Sequence, residues 1–363
     1  MSQVVFYIII FFSILGAIDK LLGNKLGLGI KFEEGFKGMG SLAMTMIGIY
    51  CLSPVIAHYF LSFLLPLSRA TGADPSIFIG SILACDMGGY TAAVEIAANE
   101  EMAKFSGIIL ASMMGATISF TIPVATNILS EEDFDYFAKG VLSGIVTIPV
   151  GCFIGGLAMG LAIKDIFINT IPIVVLSVVI AICLVKIKEK IVKLFINIGK
   201  VIFFISIVGL ILSILEFVIG INIVPGMIPF EEGVVVVGKI AVILSGAYPL
   251  IYFLSKVLAK GLSSLSDKLG VNDISILGLI TSLANNVPTL GILRNMDWKG
   301  KIINSAFVVS GAFTFGGQLG FVSGVSEDMV IPFIFAKLAA GFSGILVAMF
   351  FIKLEEKNRK SVI

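Results

Sequence analysis

Phe32-Glu-Glu-Gly35 recurs as Phe230-Glu-Glu-Gly233, 198 positions further along the chain. Kept without a gap, this offset aligns 32–91 with 230–289, and 16 of the 60 aligned positions are identical. About 5 identities are expected by chance from so biased a composition. Self-similarity at a fixed spacing is the signature of an internal duplication. The chain is therefore predicted to consist of two related halves.

The composition excludes a soluble globular protein. Of the 363 residues, 58% are hydrophobic and 13% are charged, and the mean hydropathy is +1.08. An average soluble domain carries about twice that charged fraction. The formal charge of +1 offers no basic surface for nucleic acid, and one histidine, His58, cannot build a multi-histidine metal site. HExxH and GxSxG are absent, so we predict an all-α polytopic membrane protein with no cofactor and no enzymatic activity.

Eleven apolar stretches are long enough to enter a bilayer. They are 3–19, 38–63, 74–97, 104–127, 136–163, 168–185, 200–219, 236–259, 272–293, 303–324 and 331–352. The duplication groups them into two repeats of five. The predicted division is a first repeat in 1–163, a connecting transmembrane helix and basic cytoplasmic loop in 164–199, a second repeat in 200–352, and a cytoplasmic tail in 353–363.

Lys and Arg indicate whether the repeats run parallel or inverted, because cytoplasmic loops carry the basic excess. If all eleven segments cross the membrane, 14 basic residues lie inside and 11 outside. If the third segment of each repeat, 74–97 or 272–293, enters and leaves by the same face, 20 lie inside and five outside, Lys337 among the five. The second arrangement makes the repeats inverted. Unwound full spans at both positions remain the alternative.

Both third segments are interrupted at the same place. The first carries Asp86, Gly88 and Gly89 there, and the second carries Asn285, Asn286 and Pro288. Glycine pairs and proline interrupt helices and expose backbone groups. Within a bilayer such backbone is tolerated only inside protein or beside a wet cavity. Paired interruptions of this kind predict a binding site near the middle of the membrane.

Asp86 is the only acidic residue deep within an apolar segment. A carboxylate at that depth costs about 3 kcal/mol, which indicates either a function or a compensating partner. The structural alternative is a hydrogen bond to the Asn285-Asn286 turn or a helix cap. Each of the two asparagines has two possible roles, which are contact with a ligand and capping of the broken helix ends.

Further candidate contacts lie beside the first break and in the two fourth segments. They are Tyr90, Thr117, Phe120, Phe315 and Gln318. Thr and Gln side chains hydrogen-bond small polar ligands, and aromatic faces hold cations. Close helix packing is the alternative role for all of them.

Several strings carry a resemblance to a known family. They are Phe32–Phe36, Leu83–Gly89, Ser112–Gly115, Ile122–Val124, Gly140–Cys152, Ala284–Asn286 and Gly316–Gly320. On these residues the sequence resembles the ethanolamine utilisation transporter family, the EutH-type permeases, nearly from end to end. The resemblance implies a multi-pass carrier in the bacterial inner membrane that brings ethanolamine into the cell.

Ethanolamine combines an ammonium group with one hydroxyl at neutral pH. Asp86 would hold the cation, and Asn285, Asn286 or Gln318 would bond the hydroxyl. A passive channel for small organic cations or amines and a secondary transporter of another small polar solute remain alternatives. The expected partners are ethanolamine and the lipid bilayer, and a homo-oligomer is compatible with the sequence.

Overall fold

The chain is built almost wholly of helices. The computed structural model describes residues 2–360, with the side chains of 3–257 and 266–356. It is 85% helical, and no strand occurs among the residues it describes. In a bilayer each backbone N–H and C=O needs an internal partner, which a helix provides within its own segment.

Residues 2–186 form α1 (Ser2–Leu21), α2 (Leu28–Thr71), α3 (Ser76–Gly80), α4 (Tyr90–Ile96), α5 (Glu100–Lys104), α6 (Ile122–Ile128), α7 (Glu131–Ile145), α8 (Ile148–Ala158) and α9 (Ile163–Lys186). Between α5 and α6 the chain continues in wider π-helical turns, Phe105–Gly115 and Thr117–Thr121. Residues 100–128 are therefore one continuous rod.

Residues 188–360 form α10 (Lys188–Ile219), α11 (Phe230–Leu269), α12 (Asp273–Ser282), α13 (Asn286–Ile292), α14 (Trp298–Ser310), α15 (Gly317–Val325) and α16 (Val330–Lys360). Short 3-10 turns at Leu293–Asn295 and Glu327–Met329 complete this half.

Eight helical runs among the described residues are long and apolar enough to cross a bilayer. They coincide with eight of the eleven predicted segments, so the helical class and the multi-pass character are confirmed. The other three predicted segments, 74–97, 272–293 and 303–324, each contain two shorter helices with a break between them.

Two helix ends of the first half recur in the second half at the sequence offset. α1 and α10 end at Leu21 and Ile219, and α2 and α11 end at Thr71 and Leu269, in each case 198 positions apart. The first two helices of each repeat therefore stop at corresponding residues.

The two broken third segments are hairpins. The Ala98 N–H donates to Asp74 Oδ2 at 2.9 Å, so the two ends of the first segment lie side by side. In the second segment the Asn272 N–H donates to Asp297 Oδ1 at 2.8 Å, and Asn272 Nδ2 donates to the Asn295 carbonyl oxygen at 3.0 Å. We call 74–97 the first hairpin and 272–293 the second hairpin.

The first helix of each half packs against the second helix of the other half. α1 packs against α11, and α10 packs against α2. A Cβ atom on Gly48 would lie 1.8 Å from the Ser206 carbonyl oxygen, and one on Gly246 would lie 2.0 Å from that of Ile9. Glycines at these crossings let the helix backbones touch, as small residues commonly do between membrane helices.

The basic stretch at 186–200 is helical, contrary to the predicted loop. α9 ends at Lys186 and α10 begins at Lys188, so only Ile187 separates the two helices. Lysine is a good helix former, and its long stem allows the ammonium to reach water from a helix surface. Lys188 forms an ion pair with Asp135 on α7.

Candidate functional site

A cavity of about 350 Å³ lies between the two halves. Both hairpins line it, together with α2, α11, the 116–120 turns and the 313–318 break. Four pairs of residues related by the 198 offset line it together: Met46 with Leu244, Asp86 with Ala284, Met87 with Asn285, and Phe120 with Gln318. The cavity therefore lies where corresponding parts of the two halves meet.

Three of these four pairs combine one polar and one apolar residue. Asp86 corresponds to Ala284, Asn285 to Met87, and Gln318 to Phe120. Corresponding backbone positions in the two halves thus carry different side chains. The cavity has a carboxylate and two amides set among apolar walls, which is the usual composition of a small-molecule site.

Asp86 lies on the unwound turn of the first hairpin. Met87 has non-helical backbone angles (φ −114°, ψ 47°), and Gly88 adopts φ +85°, a left-handed conformation that glycine accepts without strain. Gly89, predicted as part of the break, has helical backbone angles and is the N-cap of α4. Asp86 is half-buried and lines the cavity, so its carboxylate is available to a ligand there.

Asn285 occupies the break of the second hairpin. Its Oδ1 accepts the Val287 N–H at 2.9 Å, which caps the start of α13. Pro288 was predicted to break the helix. It lies instead in the first turn of α13, after the break. A first-turn residue has no helical acceptor for its N–H, so proline is tolerated there.

Gln318 lies in the first turn of α15, at the 313–318 break, and is 3% exposed. Its Oε1 accepts a hydrogen bond from Lys337 Nζ at 2.8 Å. Lys337 also donates to the Ser112 carbonyl oxygen at 2.8 Å and is 1% exposed. The charge count had assigned Lys337 to the outer face; it is instead buried on α16, and its ammonium is satisfied by protein oxygens.

Two phenylalanines form an aromatic wall of the cavity. The rings of Phe120 and Phe313 meet edge to face with their centroids 5.9 Å apart. Phe313 has φ +61°, which is rare for a bulky side chain. Such strained residues concentrate at functional sites, where the surrounding structure holds them in place.

Four of the predicted contacts lie away from the cavity. Asn286 is buried, with Nδ2 donating to Thr121 Oγ1 at 3.0 Å. Thr117 Oγ1 donates to the Met113 and Val309 carbonyl oxygens. Phe315 packs against the hydrophobic core, with its N–H donating to the Leu283 carbonyl oxygen at 2.8 Å. Tyr90 stacks edge to face on Phe321 at 6.2 Å.

Tyr248, which lines the cavity, and Lys337, which lies behind Gln318 and does not line it, were not predicted as contacts. Tyr248 lines the cavity on α11 and repeats Tyr50, so the duplication marks the position without indicating its role. The signal for Lys337 was its place within the apolar stretch 331–352, where a lysine is costly and indicates a function.

A second cavity of about 480 Å³ adjoins the first and shares Tyr248, Ala284 and Asn285 with it. We call it the vestibule. It extends to Lys31 and Glu34, which form an ion pair at the start of α2. The vestibule therefore lies between the first cavity and this end of α2.

Contacts between the two halves also lie at the opposite end of α2. Lys104 Nζ lies 2.9 Å from Asp328 Oδ2, and the Tyr90–Phe321 stack lies on the same side. Lys104 is near Ala98, whose backbone joins Asp74 just beyond the end of α2. These contacts and the vestibule therefore lie toward opposite ends of α2.

The fold and the cavity define a multi-pass helical membrane protein with a polar site enclosed between two halves. The family described as "Ethanolamine utilisation protein, EutH" matches residues 1–351. The chain belongs to this family, and the resemblance found in the sequence is confirmed.

Relatives extend over almost the whole chain. A Listeria monocytogenes protein named probable ethanolamine permease EutH is 43% identical, over 99% of this chain and 96% of its own length. The uncharacterized protein YxeR of Bacillus subtilis is also 43% identical, over 96% and 94%. The probable ethanolamine permease EutH of Escherichia coli is 37% identical, over 98% and 96%. No solved structure matches the chain.

Proposed function

We propose that this protein transports ethanolamine across the bacterial inner membrane into the cell, as a secondary carrier or facilitator. The observation that carries the proposal is the cavity between the halves, which places one carboxylate and two amides among apolar and aromatic walls. The names of the Listeria and Escherichia relatives support ethanolamine as the substrate.

The chemistry of the cavity fits a protonated amino alcohol. An aliphatic amine is protonated at neutral pH, as lysine is. Asp86 accepts hydrogen bonds from the ammonium, and the rings of Phe120 and Phe313 offer their faces to the same charge. Gln318 and Asn285 bond the hydroxyl. Every polar group of this small substrate then has a partner in the cavity.

The inverted topology belongs to the proposal. With both hairpins returning to the face they entered, the first repeat crosses the membrane four times and α9 crosses once. The second repeat then begins on the opposite side from the first, which is the inverted arrangement of many carriers. Lys337 is buried, and 20 of the remaining 24 Lys and Arg residues then lie on one side, the cytoplasm.

Ion pairs across the halves support the same sidedness. Lys139 pairs with Glu355, and Lys301 pairs with Asp133, all four on the side assigned to the cytoplasm. Lys104 and Asp328 pair on the side assigned to the exterior. The proposed division into 1–163, a connecting helix in 164–199, and 200–352 follows from this arrangement.

The position of the vestibule supports a conformation in which the site faces the cytoplasm. It reaches Lys31 and Glu34, on the side assigned to the cytoplasm, while the Lys104–Asp328 contact closes the other side. In this conformation ethanolamine leaves Asp86 past Asn285 and Tyr248 into the cell. Opening of the outer contacts and closure at Asn285 would return the empty site to the exterior, as alternating access requires.

Counterflow in proteoliposomes tests the proposal. Vesicles containing the purified protein are loaded with unlabelled ethanolamine and diluted into a trace of labelled ethanolamine. A carrier accumulates label transiently above the outside concentration, because outward movement of unlabelled substrate returns the site to the outside. A channel gives uptake without this overshoot, and uptake equal to that of protein-free vesicles rejects ethanolamine transport altogether.

A further inference from the structure

Lys337 is a buried cation next to a site that is proposed to bind a cation. Its ammonium donates to the Ser112 carbonyl oxygen and to Gln318 Oε1, both at 2.8 Å, and lies 5.4 Å from the centroid of the Phe333 ring. Lysine within a membrane segment is costly and rare. It also repels a second ammonium at the site, so cation binding alone gives no reason for it.

The hydrogen bond to Gln318 supplies a reason. An ammonium can only donate, so the amide oxygen of Gln318 must face Lys337. The amide NH₂ is then directed away from Lys337, and Gln318 is one of the residues that line the cavity. Without an obligate donor behind it, the same amide could turn and present its oxygen instead.

A fixed NH₂ group distinguishes the two ends of an amino alcohol. It donates to a hydroxyl oxygen, and it repels an ammonium, which has no acceptor. Asp86 has the opposite preference, because a carboxylate accepts from an ammonium. The two residues therefore define one orientation of the substrate, with the ammonium at Asp86 and the hydroxyl at Gln318.

We propose that Lys337 is a positioning residue that sets specificity for an amino alcohol over an alkylamine of the same length. It acts through Gln318 and does not touch the substrate. The proposal rests on ethanolamine transport by this site. It predicts that n-propylamine, in which a methyl replaces the hydroxyl, binds at least about tenfold more weakly than ethanolamine, since a site built to bond a hydroxyl discriminates against analogues that lack it.

The test is the ratio of the inhibition constants of n-propylamine and ethanolamine against uptake of labelled ethanolamine. Wild type is compared with Lys337→Met, Lys337→Gln, Gln318→Leu and the Lys337→Met/Gln318→Leu double variant, each at matched membrane abundance. Lys139→Met is the matched control, because Lys139 is the repeat counterpart of Lys337 and forms an ion pair with Glu355 on the periphery.

We expect Lys337→Met and Gln318→Leu each to lower the ratio about tenfold, with no further fall in the double variant, since both remove the same interaction. Lys337→Gln lowers the ratio as well, because a second amide can donate or accept and no longer fixes Gln318. If the Lys337→Met variant does not accumulate in the membrane, Lys337→Gln tests the role of Lys337 in its place. Lys139→Met leaves the ratio unchanged.

Equal weakening of both ligands by Lys337→Met and Lys337→Gln would assign Lys337 a purely structural role and overturn the proposal. An unchanged ratio in either variant would overturn it too. Absence of ethanolamine uptake by the wild-type protein is a different result, since it removes the proposed function and is visible before any variant is compared.

Discussion

The first and second hairpins occupy the same place in the two repeats and are interrupted by different means. The first unwinds at Met87 and Gly88 and carries a charge at Asp86. The second restarts a helix with the Asn285 cap and carries an amide. The position of the break is thus common to both halves, while the chemistry at the break differs. A cavity between duplicated halves becomes asymmetric in this way, with a charged side and a neutral side.

The charge at the first hairpin is the largest difference between the two. Asp86→Asn is expected to lower ethanolamine uptake about 100-fold, because the ammonium loses its carboxylate and a buried charged partner is worth about 2–5 kcal/mol. The measurement is the initial rate of uptake at low substrate concentration. Asp165→Asn, at the exposed start of α9, is the control and should behave as wild type. Uptake above a third of the wild-type rate in Asp86→Asn would remove Asp86 from the site.

Glycine-to-alanine changes should have opposite signs in the two hairpins. Gly88→Ala places a Cβ in a left-handed residue, at a cost of about 1–2 kcal/mol, and 3.1 Å from Ile49 Cγ1. Gly291→Ala lies in α13 with open space around its Cβ, and alanine stabilises a helix by up to about 1 kcal/mol over glycine. Thermal unfolding in detergent measures both, and a lower melting temperature for Gly291→Ala than for Gly88→Ala would contradict the assignment of the breaks.

The cap of the second hairpin should have a smaller effect. Asn285→Ala removes the acceptor of the Val287 N–H and is expected to cost about 1 kcal/mol. Asn285→Ser keeps a capping oxygen and should recover most of that stability. If both variants melt together with wild type, the cap does not stabilise the break.

Pro288 is expected to have the smallest effect. Pro288→Ala should change stability by less than about 0.5 kcal/mol, because a first-turn residue of α13 makes no helical hydrogen bond through its N–H. Thermal unfolding and uptake are measured together. A large change in either would restore proline as the cause of the break.

Much of the architecture could be predicted because the bilayer restricts it. Apolar stretches located the helices, and paired interruptions located both hairpins. Within the hairpins the outcome depended on single positions. Asn285, the extended N-cap residue, lines the cavity, whereas Asn286, the first residue of α13, bonds Thr121 in the core. Neighbouring polar residues of one type give no local signal that separates these two roles.

Lys337 shows what local pattern cannot provide. Its two partners, Ser112 and Gln318, lie 225 and 19 positions away, so the pocket that accepts its ammonium exists only after the halves assemble. The charge count placed it on the outer side of the membrane. The left-handed backbone of Phe313 was invisible for the same reason, since the contacts that hold it come from the second hairpin, where the Ser282 carbonyl oxygen accepts its N–H.

The glycine contacts of α2 and α11 also determine the points about which these helices can tilt. Gly48 and Gly246 lie two residues beyond Met46 and Leu244, which line the cavity. Where the backbones touch, no side chain is left to compress. Each helix can therefore tilt about its glycine contact, which lies next to the cavity. From Gly48 to the end of α2 the helix extends about 35 Å, and a tilt of about 10° moves that end about 6 Å. The cavity wall at Met46 moves less than about 1 Å in the same tilt, so the ends of the helix can open and close around a site that keeps its shape.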